Sequence, residues 1–205
     1  MSFNKQEFHI PSIDEPVNFS IQERQFLLDL SRMTLINIIN SNISNMDLKD
    51  IPPRLTDIKA CFVTLTKNDI LRGCIGNIIP REPLYQSVIN NTQHAAIRDW
   101  RFLPVQSNEL DKIKIEISIL TEPKPLNFNS PEDLLNKLQP YKDGVILKID
   151  SHNATFLPQV WKQLPDKVEF LNRLSEKACL DPLVWRDKGT SVSIYYVESF
   201  EEIKT

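Results

Sequence analysis

Glycine is nearly missing from this chain: four stand among 205 residues, against an average usage of about 7%. That scarcity leaves no material for the glycine-rich, phosphate-cradling loops of the Walker or Rossmann kind. Cysteine is sparse too, with Cys61, Cys74 and Cys179 at long and unrelated spacings. An odd number at such spacings argues against a disulfide framework and for a reducing compartment. There is no Cys-x-x-Cys, no His-x-x-x-His and no run of histidines with carboxylates, so the sequence carries no metal motif and points to no cofactor. No apolar run approaches the ~18 residues of a membrane span, and the opening MSFNKQEFHIPSIDEP has no apolar stretch of signal-peptide length. A net charge of -3 supplies no basic field for gathering phosphates, so nucleic acid is a poor default partner. These absences set the expectation of a soluble, cytoplasmic protein with no membrane partner.

What is present reads as ordinary and globular, with 41% hydrophobic and 25% charged residues. A chain of this size buries ~70% of the surface its unfolded form exposes, enough to fold without staples. Residues 1–19 are polar and proline-marked and predict an irregular lead-in. Ser20 and Glu23 form a capping box, and Leu27, Leu30, Met33 and the Ile36 to Ile39 region then recur on one helical face as far as about Asn42. Lys59 to Thr66 predicts a strand, and Glu82 to Arg98 a helix with Pro83 in its first turn. Ile113, Ile115, Ile117 and Ile119 alternate with polar residues, the mark of a half-buried strand. A short helix from Ser130, a hairpin of Val145–Ile149 with Ala154–Leu157, a helix from Asp166 to about Cys179 and a last strand, Ser191–Val197, complete the reading. Hairpins outnumber crossovers, which favours an α+β fold with mixed or largely antiparallel sheets. Trp161, Trp185 and Phe170 are expected in the core.

Half of the glycine supply lies in one segment, Leu71-Arg72-Gly73-Cys74-Ile75-Gly76. Glycine permits positive φ or very close backbone approach, so the segment reads as a shaped turn. A thiol there can face exposed amides, and Arg72 beside it favours the thiolate. Cys74 then suits a nucleophile, a redox thiol or part of an anion pocket. The plain alternative is a small buried hydrophobe, as free cysteine often is. Gly-x-x-Gly loops also clamp nucleotides in some RNA-binding folds, but the basic residues expected inside the loop are missing here. His94, on the Glu82–Arg98 helix, reads as a surface histidine.

The LRGCIG segment resembles the hallmark of the AMMECR-type domain family, named for the AMME chromosomal region. Further stretches resemble the family in the same order. They are Phe62-Val63-Thr64-Leu65, Ala95-Ala96-Ile97-Arg98-Asp99-Trp100-Arg101-Phe102-Leu103-Pro104, Glu116-Ile117-Ser118-Ile119-Leu120, Leu157-Pro158-Gln159-Val160, and Phe170-Leu171 with Lys177-Ala178. The resemblance spans residues 20–200, read as one AMMECR-type domain. Two positions depart from the pattern: Cys179 stands where glycine is usual, and Trp100 where proline is frequent.

The resemblance implies an α+β fold of two related β-α subdomains in one compact unit. It also implies a shared pathway with Memo-like and radical SAM proteins, the AmmeMemoRadiSam system, without supplying a reaction. On these grounds an enzyme or enzyme component is expected to bind a small or peptide-borne anionic substrate at LRGCIG. Cys74 is the candidate reactive thiol and Glu116 a candidate acid or base. Arg72, Gly73, Gly76, Asp99 and Arg101 are the candidate substrate-binding residues, with Arg72 and Arg101 holding the anion and Asp99 positioning Arg101. Structural readings stand beside each: Asp99 and Arg101 as a pair fixing a helix exit, Glu116 as the solvent face of a strand. The rival function is a non-catalytic protein-interaction module in which LRGCIG is a structural turn.

Overall fold

Ser20 and Glu23 begin the first helix, α1 (Ile21–Ile39), by reciprocal capping: Ser20 Oγ accepts the Glu23 amide at 3.2 Å and the Glu23 carboxylate accepts the Ser20 amide at 2.8 Å. The computed structural model describes residues 18–41 and 50–203, so most of the lead-in and the end expected near Asn42 lie outside the described residues. The buried side of α1 is Leu27, Leu28, Leu30, Ser31, Thr34 and Leu35. Met33, expected on that side, is 49% exposed. The helix is rotated so that Ser31 meets Thr92 of the second helix through a 2.7 Å hydroxyl contact, and apolar spacing alone does not disclose a polar contact on the buried face.

Strands β1 (Ala60–Lys67) and β2 (Ile70–Gly76) form a hairpin closed by Asn68 and Asp69, both at positive φ. Helix α2 (Leu84–Ile97) follows with Pro83 as its N-cap, and then strand β3 (Ile113–Leu120). Cys61, Val63 and Leu65 of β1 and Ile113, Ile115, Ile117 and Ile119 of β3 share one fully buried core with α1 and α2.

The second half repeats this plan. The first half ends on the short strand β4 (Lys124–Pro125), and helix α3 (Pro131–Lys137) and the hairpin β5 (Gly144–Ile149) and β6 (His152–Phe156) open the second. Helix α4 (Lys167–Lys177), β7 (Ser191–Tyr195) and β8 (Val197–Glu201) complete the chain. Trp161 stacks on Phe170 with ring centroids 3.6 Å apart, and with Trp185 both are buried in a second core, as expected for these aromatics.

All strand pairing is antiparallel, in two four-stranded sheets ordered β2-β1-β3-β8 and β4-β7-β5-β6. Each sheet is thus a hairpin, a third strand from beyond the following helix, and a fourth strand contributed by the other half. The exchange explains the stretch Ser191–Val197, which reads as one strand but divides at Tyr196 and changes sheet. At that crossing Thr121 and Tyr196, each leaving its own sheet, bond to one another twice at 2.9 Å. Ala60, Leu120 and Tyr195, with Phe62, Ile146 and Leu157 against them, form a third apolar cluster that joins the halves.

Candidate functional site around Cys74

The LRGCIG segment is the edge strand β2 rather than a turn, and neither of its glycines has positive φ. The chain reverses one step earlier, where Asn68 and Asp69 tolerate the left-handed region. What the glycines supply is closeness. A Cβ on Gly73 would lie 2.2 Å from the Ala95 carbonyl oxygen of α2. One on Gly76 would lie 2.3 Å from the Phe62 ring and 2.5 Å from the Cys61 oxygen. The strand is pressed against a helix on one face and covered by an aromatic ring on the other.

An edge strand presents unpaired backbone groups, and here the segment after α2 satisfies them. The Cys74 amide donates to Asp99 Oδ2 at 2.9 Å, and Arg101 Nη2 donates to the Cys74 carbonyl at 3.1 Å. Asp99 in turn grips Arg101 through Nε at 2.9 Å, Nη2 at 2.7 Å and the Arg101 amide at 3.2 Å. The pair takes the place of a neighbouring strand for this one residue. The Arg101 guanidinium, foremost among the causes, holds the Asp99 carboxyl down to about 2. The Cys74 amide is thereby spent on a carboxylate and does not face its own thiol.

Strand register places Cys74 opposite Thr64, Thr64 opposite Glu116, and Glu116 opposite Glu201. Residues directly opposite point to the same side of a sheet, so the four form one row on the face away from α1 and α2. The Thr64 hydroxyl donates to Cys74 Sγ at 3.3 Å. Burial pushes the thiol above its ordinary value of 9.0; the Thr64 bond and Arg101 oppose the rise, while Asp99 and Glu116 add to it. The thiol is therefore protonated at neutral pH. Burial likewise raises the Glu116 carboxyl above 4.5, with Ser118 opposing and Glu201 reinforcing. Lys162, whose charge acts on Glu116, lines a cleft of about 220 Å³ with Gln159 and Ser199.

The second half completes the site with a residue that sequence reasoning did not single out as functional. Lys177, at the end of α4, donates to the Thr155 carbonyl of β6 at 3.0 Å and lies 5.0 Å from the Phe156 ring centre. This is the counterpart of Arg101 on Cys74: in each half a cation from the end of the helix caps a carbonyl of the hairpin's outer strand. Burial of the ammonium and then the nearby Arg101 charge lower the Lys177 pKa, while Cys74 acts in the opposite direction. Lys177-Ala178 was visible as a family signature, but only the internal repeat shows why a cation stands there.

Arg72 is not part of this cluster. The β1–β2 register shifts between Leu65 and Thr66, so that Gly73 faces Leu65, Leu71 faces Thr66 and Arg72 is the extra residue of a bulge. Its guanidinium forks onto Glu109 at 2.9 and 3.1 Å, where Lys67 also bonds at 2.8 Å. Lys67 continues the alternation of Val63 and Leu65 on the core side, opposite the Cys74 row. Arg72, first among the causes, brings the Glu109 carboxyl down to about 2. His94 Nε2 lies 3.4 Å from Arg98 Nη1. Among the described residues no group of His, Cys, Asp and Glu is arranged to hold a metal ion, and no helix is long and apolar enough to cross a membrane.

Comparison with known proteins sets this geometry in a lineage. The sequence model of the AMMECR1 family matches residues 28–200. The chain belongs to the AMMECR1 family. A relative from Thermococcus gammatolerans is 36% identical over 186 residues, 87% of this chain and 89% of its own. Protein MK0488 of Methanopyrus kandleri is 33% identical over 193 residues, covering 89% of this chain and 90% of its own. The crystal structure of the uncharacterized protein PH0010 from Pyrococcus horikoshii superposes with a TM-score of 0.83 at 33% identity, over 90% of this chain and 93% of that one. The α+β architecture inferred for the AMMECR1 family from its motifs is the architecture found.

Proposed function

We propose that this AMMECR1-family protein is an enzyme, or the substrate-holding component of one, that binds an anionic group between Arg101 and Lys177 beside Cys74. The observation that carries the reading is that Arg101, fixed on the Cys74 carbonyl, lies within electrostatic reach of Lys177 from the other half of the fold. Desolvation of the ammonium and, after it, the Arg101 charge lower the Lys177 pKa, and an anion placed between the two cations opposes that shift. Binding sites are common where such units meet. In this reading Arg101 holds the anion, Asp99 positions Arg101, and Gly73 and Gly76 let the strand sit close to its supports. Cys74 is the candidate reactive group. Glu116, two strands across and hence about 10 Å away, is the candidate acid or base. Arg72 supports the hairpin through Glu109. By family resemblance, the same proposal places the protein in the cytoplasm, in a pathway with Memo-like and radical SAM proteins.

A second reading, a non-catalytic interaction module, is favoured by one observation: burial holds the thiol in its unreactive protonated form. Alkylation of Cys74 by iodoacetamide at pH 8 separates the two. At ionic strength fixed with chloride, inorganic phosphate and citrate are expected to slow alkylation several-fold, because an anion near the thiol disfavours the thiolate. Arg101→Gln and Lys177→Met are expected to abolish the effect. Equal rates with and without these anions would remove the anion site, and alkylation seen only after denaturation would favour the module.

A further inference from the structure

The chain has three tryptophans and treats one differently. Trp161 and Trp185 are 0% and 1% exposed, whereas Trp100 is 90% exposed. Leu103 is 83% exposed and Ile97 38%, so three large apolar side chains in one seven-residue stretch face water. The backbone beneath them is fixed. The Phe102 amide donates to the Asp99 carbonyl at 3.0 Å, the Val105 amide to the Ala96 carbonyl at 2.9 Å, and Asp99 grips Arg101 between them. Exposure here belongs to a tight, bonded turn.

The charge around this turn is positive on a protein whose net charge is negative. Arg98 and Arg101 are exposed and the Lys177 charge is within electrostatic reach of Arg101, while the single carboxylate of the stretch, Asp99, is buried and already paired. Trp100 therefore stands next to Arg101 in the chain as an exposed apolar anchor between two exposed arginines, Arg98 and Arg101. Pairing with a partner's strand at Cys74 is ruled out, since Asp99 and Arg101 already occupy its free amide and carbonyl.

We propose that the anion bound beside Cys74 is carried on a protein segment, an acidic stretch whose apolar side chains dock on Trp100 and Leu103. This rests on the anion-site reading and narrows its substrate class from a small anion to a peptide-borne one. Charge complementarity selects the acidic residues, and the exposed indole and isobutyl groups give flanking apolar residues a surface that a small metabolite would not use.

Selection from a randomised displayed peptide library against the full-length protein tests the proposal. The expected consensus combines Asp or Glu with Leu, Phe or Trp. Trp100→Ala and Leu103→Ser should each weaken a selected peptide at least tenfold, leave the thermal midpoint unchanged, and leave the phosphate effect on Cys74 alkylation intact. A selection without an acidic and apolar consensus, or selected peptides indifferent to Trp100→Ala, overturns the proposal. So does binding of phosphatidylserine vesicles that depends on Trp100 when no peptide binds, since that assigns the patch to a membrane surface. Peptides that bind through Trp100 while phosphate has no effect on Cys74 would instead sink the anion-site reading and leave the docking surface standing.

Discussion

Asp99 accepts the Cys74 amide proton at 2.9 Å and, through the Arg101 it grips, holds the Cys74 carbonyl as well. One carboxylate thus closes an edge strand and fixes the candidate site. The carboxyl is 2% exposed and held at about 2, below its usual 3.8. A folded-state pKa below the unfolded one stabilises the protein above the unfolded value, and that contribution is lost as pH falls toward the folded value. For Asp99 the loss falls between about 3.8 and about 2, and for Glu109 between 4.5 and about 2. Asp99 thereby contributes about 2 kcal/mol and Glu109 about 3 kcal/mol at neutral pH. Urea unfolding at pH 7 and pH 3 should show wild type losing stability on acidification and Asp99→Asn losing less of it. Asp99→Ala should cost about 3 kcal/mol at pH 7, because it leaves Arg101 unpaired. An acid sensitivity unchanged by Asp99→Asn would contradict the assignment.

The three thiols should react in a fixed order. Cys179 is exposed, Cys74 partly buried, and Cys61 buried with its pKa pushed up to about 11. Limiting reagent should label Cys179 first, Cys74 next and Cys61 last. Because the thiolate is the reactive form, the Cys74 rate should keep rising beyond pH 9. Arg101 favours the thiolate, so Arg101→Gln should slow labelling. Arg72→Gln should leave the rate near wild type, since Arg72 serves Glu109. Slowing by the Arg72 variant and none by the Arg101 variant, followed by mass spectrometry, would reverse these roles.

The glycines of β2 are bound to closeness rather than to turn geometry. Gly73→Ala drives a methyl to within 2.2 Å of the Ala95 carbonyl, a backbone atom that moves only if α2 moves. It should cost about 3 kcal/mol as overpacking. Gly189→Ala is the control, because its nearest neighbour is a side-chain carbon at 3.8 Å, and denaturant midpoints should separate the two variants clearly. Equal stability in both would mean that β2 and α2 can part at no cost.

The sequence disclosed local devices well and long-range ones poorly. The Ser20–Glu23 box, the isoleucine alternation of β3 and the buried Trp161, Phe170 and Trp185 follow from spacing and residue type, and all stand as read. The LRGCIG segment was visible as unusual, but its scarce glycines suggested a turn because positive φ is the commoner reason for glycine at a chain reversal. Contact with Ala95 is non-local and leaves no spacing to read. Arg72 moved to the other face through a bulge that no residue type announces. Lys177 acts on Arg101 and Cys74 across the two halves of the fold, and the joining of those halves includes a strand exchange that depends on one break, at Tyr196, inside an otherwise uniform run of β-formers.

Lys177 offers the most direct measurement at the meeting of the two halves. The residue is exposed, yet desolvation of its ammonium and, after it, the Arg101 charge favour the neutral amine and lower its pKa below 10.5. After reductive methylation with carbon-13 formaldehyde, one dimethyl-lysine resonance should titrate at lower pH than the others, and Lys177→Met should remove it. Arg101→Gln takes away a like charge and should move that titration upward, toward the remaining lysines. Saturating phosphate should move it upward as well, because a bound anion stabilises the ammonium, and the two effects should not add if phosphate needs Arg101. A Lys177 resonance that titrates with the bulk, or that ignores both Arg101→Gln and phosphate, would separate the two cations and leave Cys74 without an anion site.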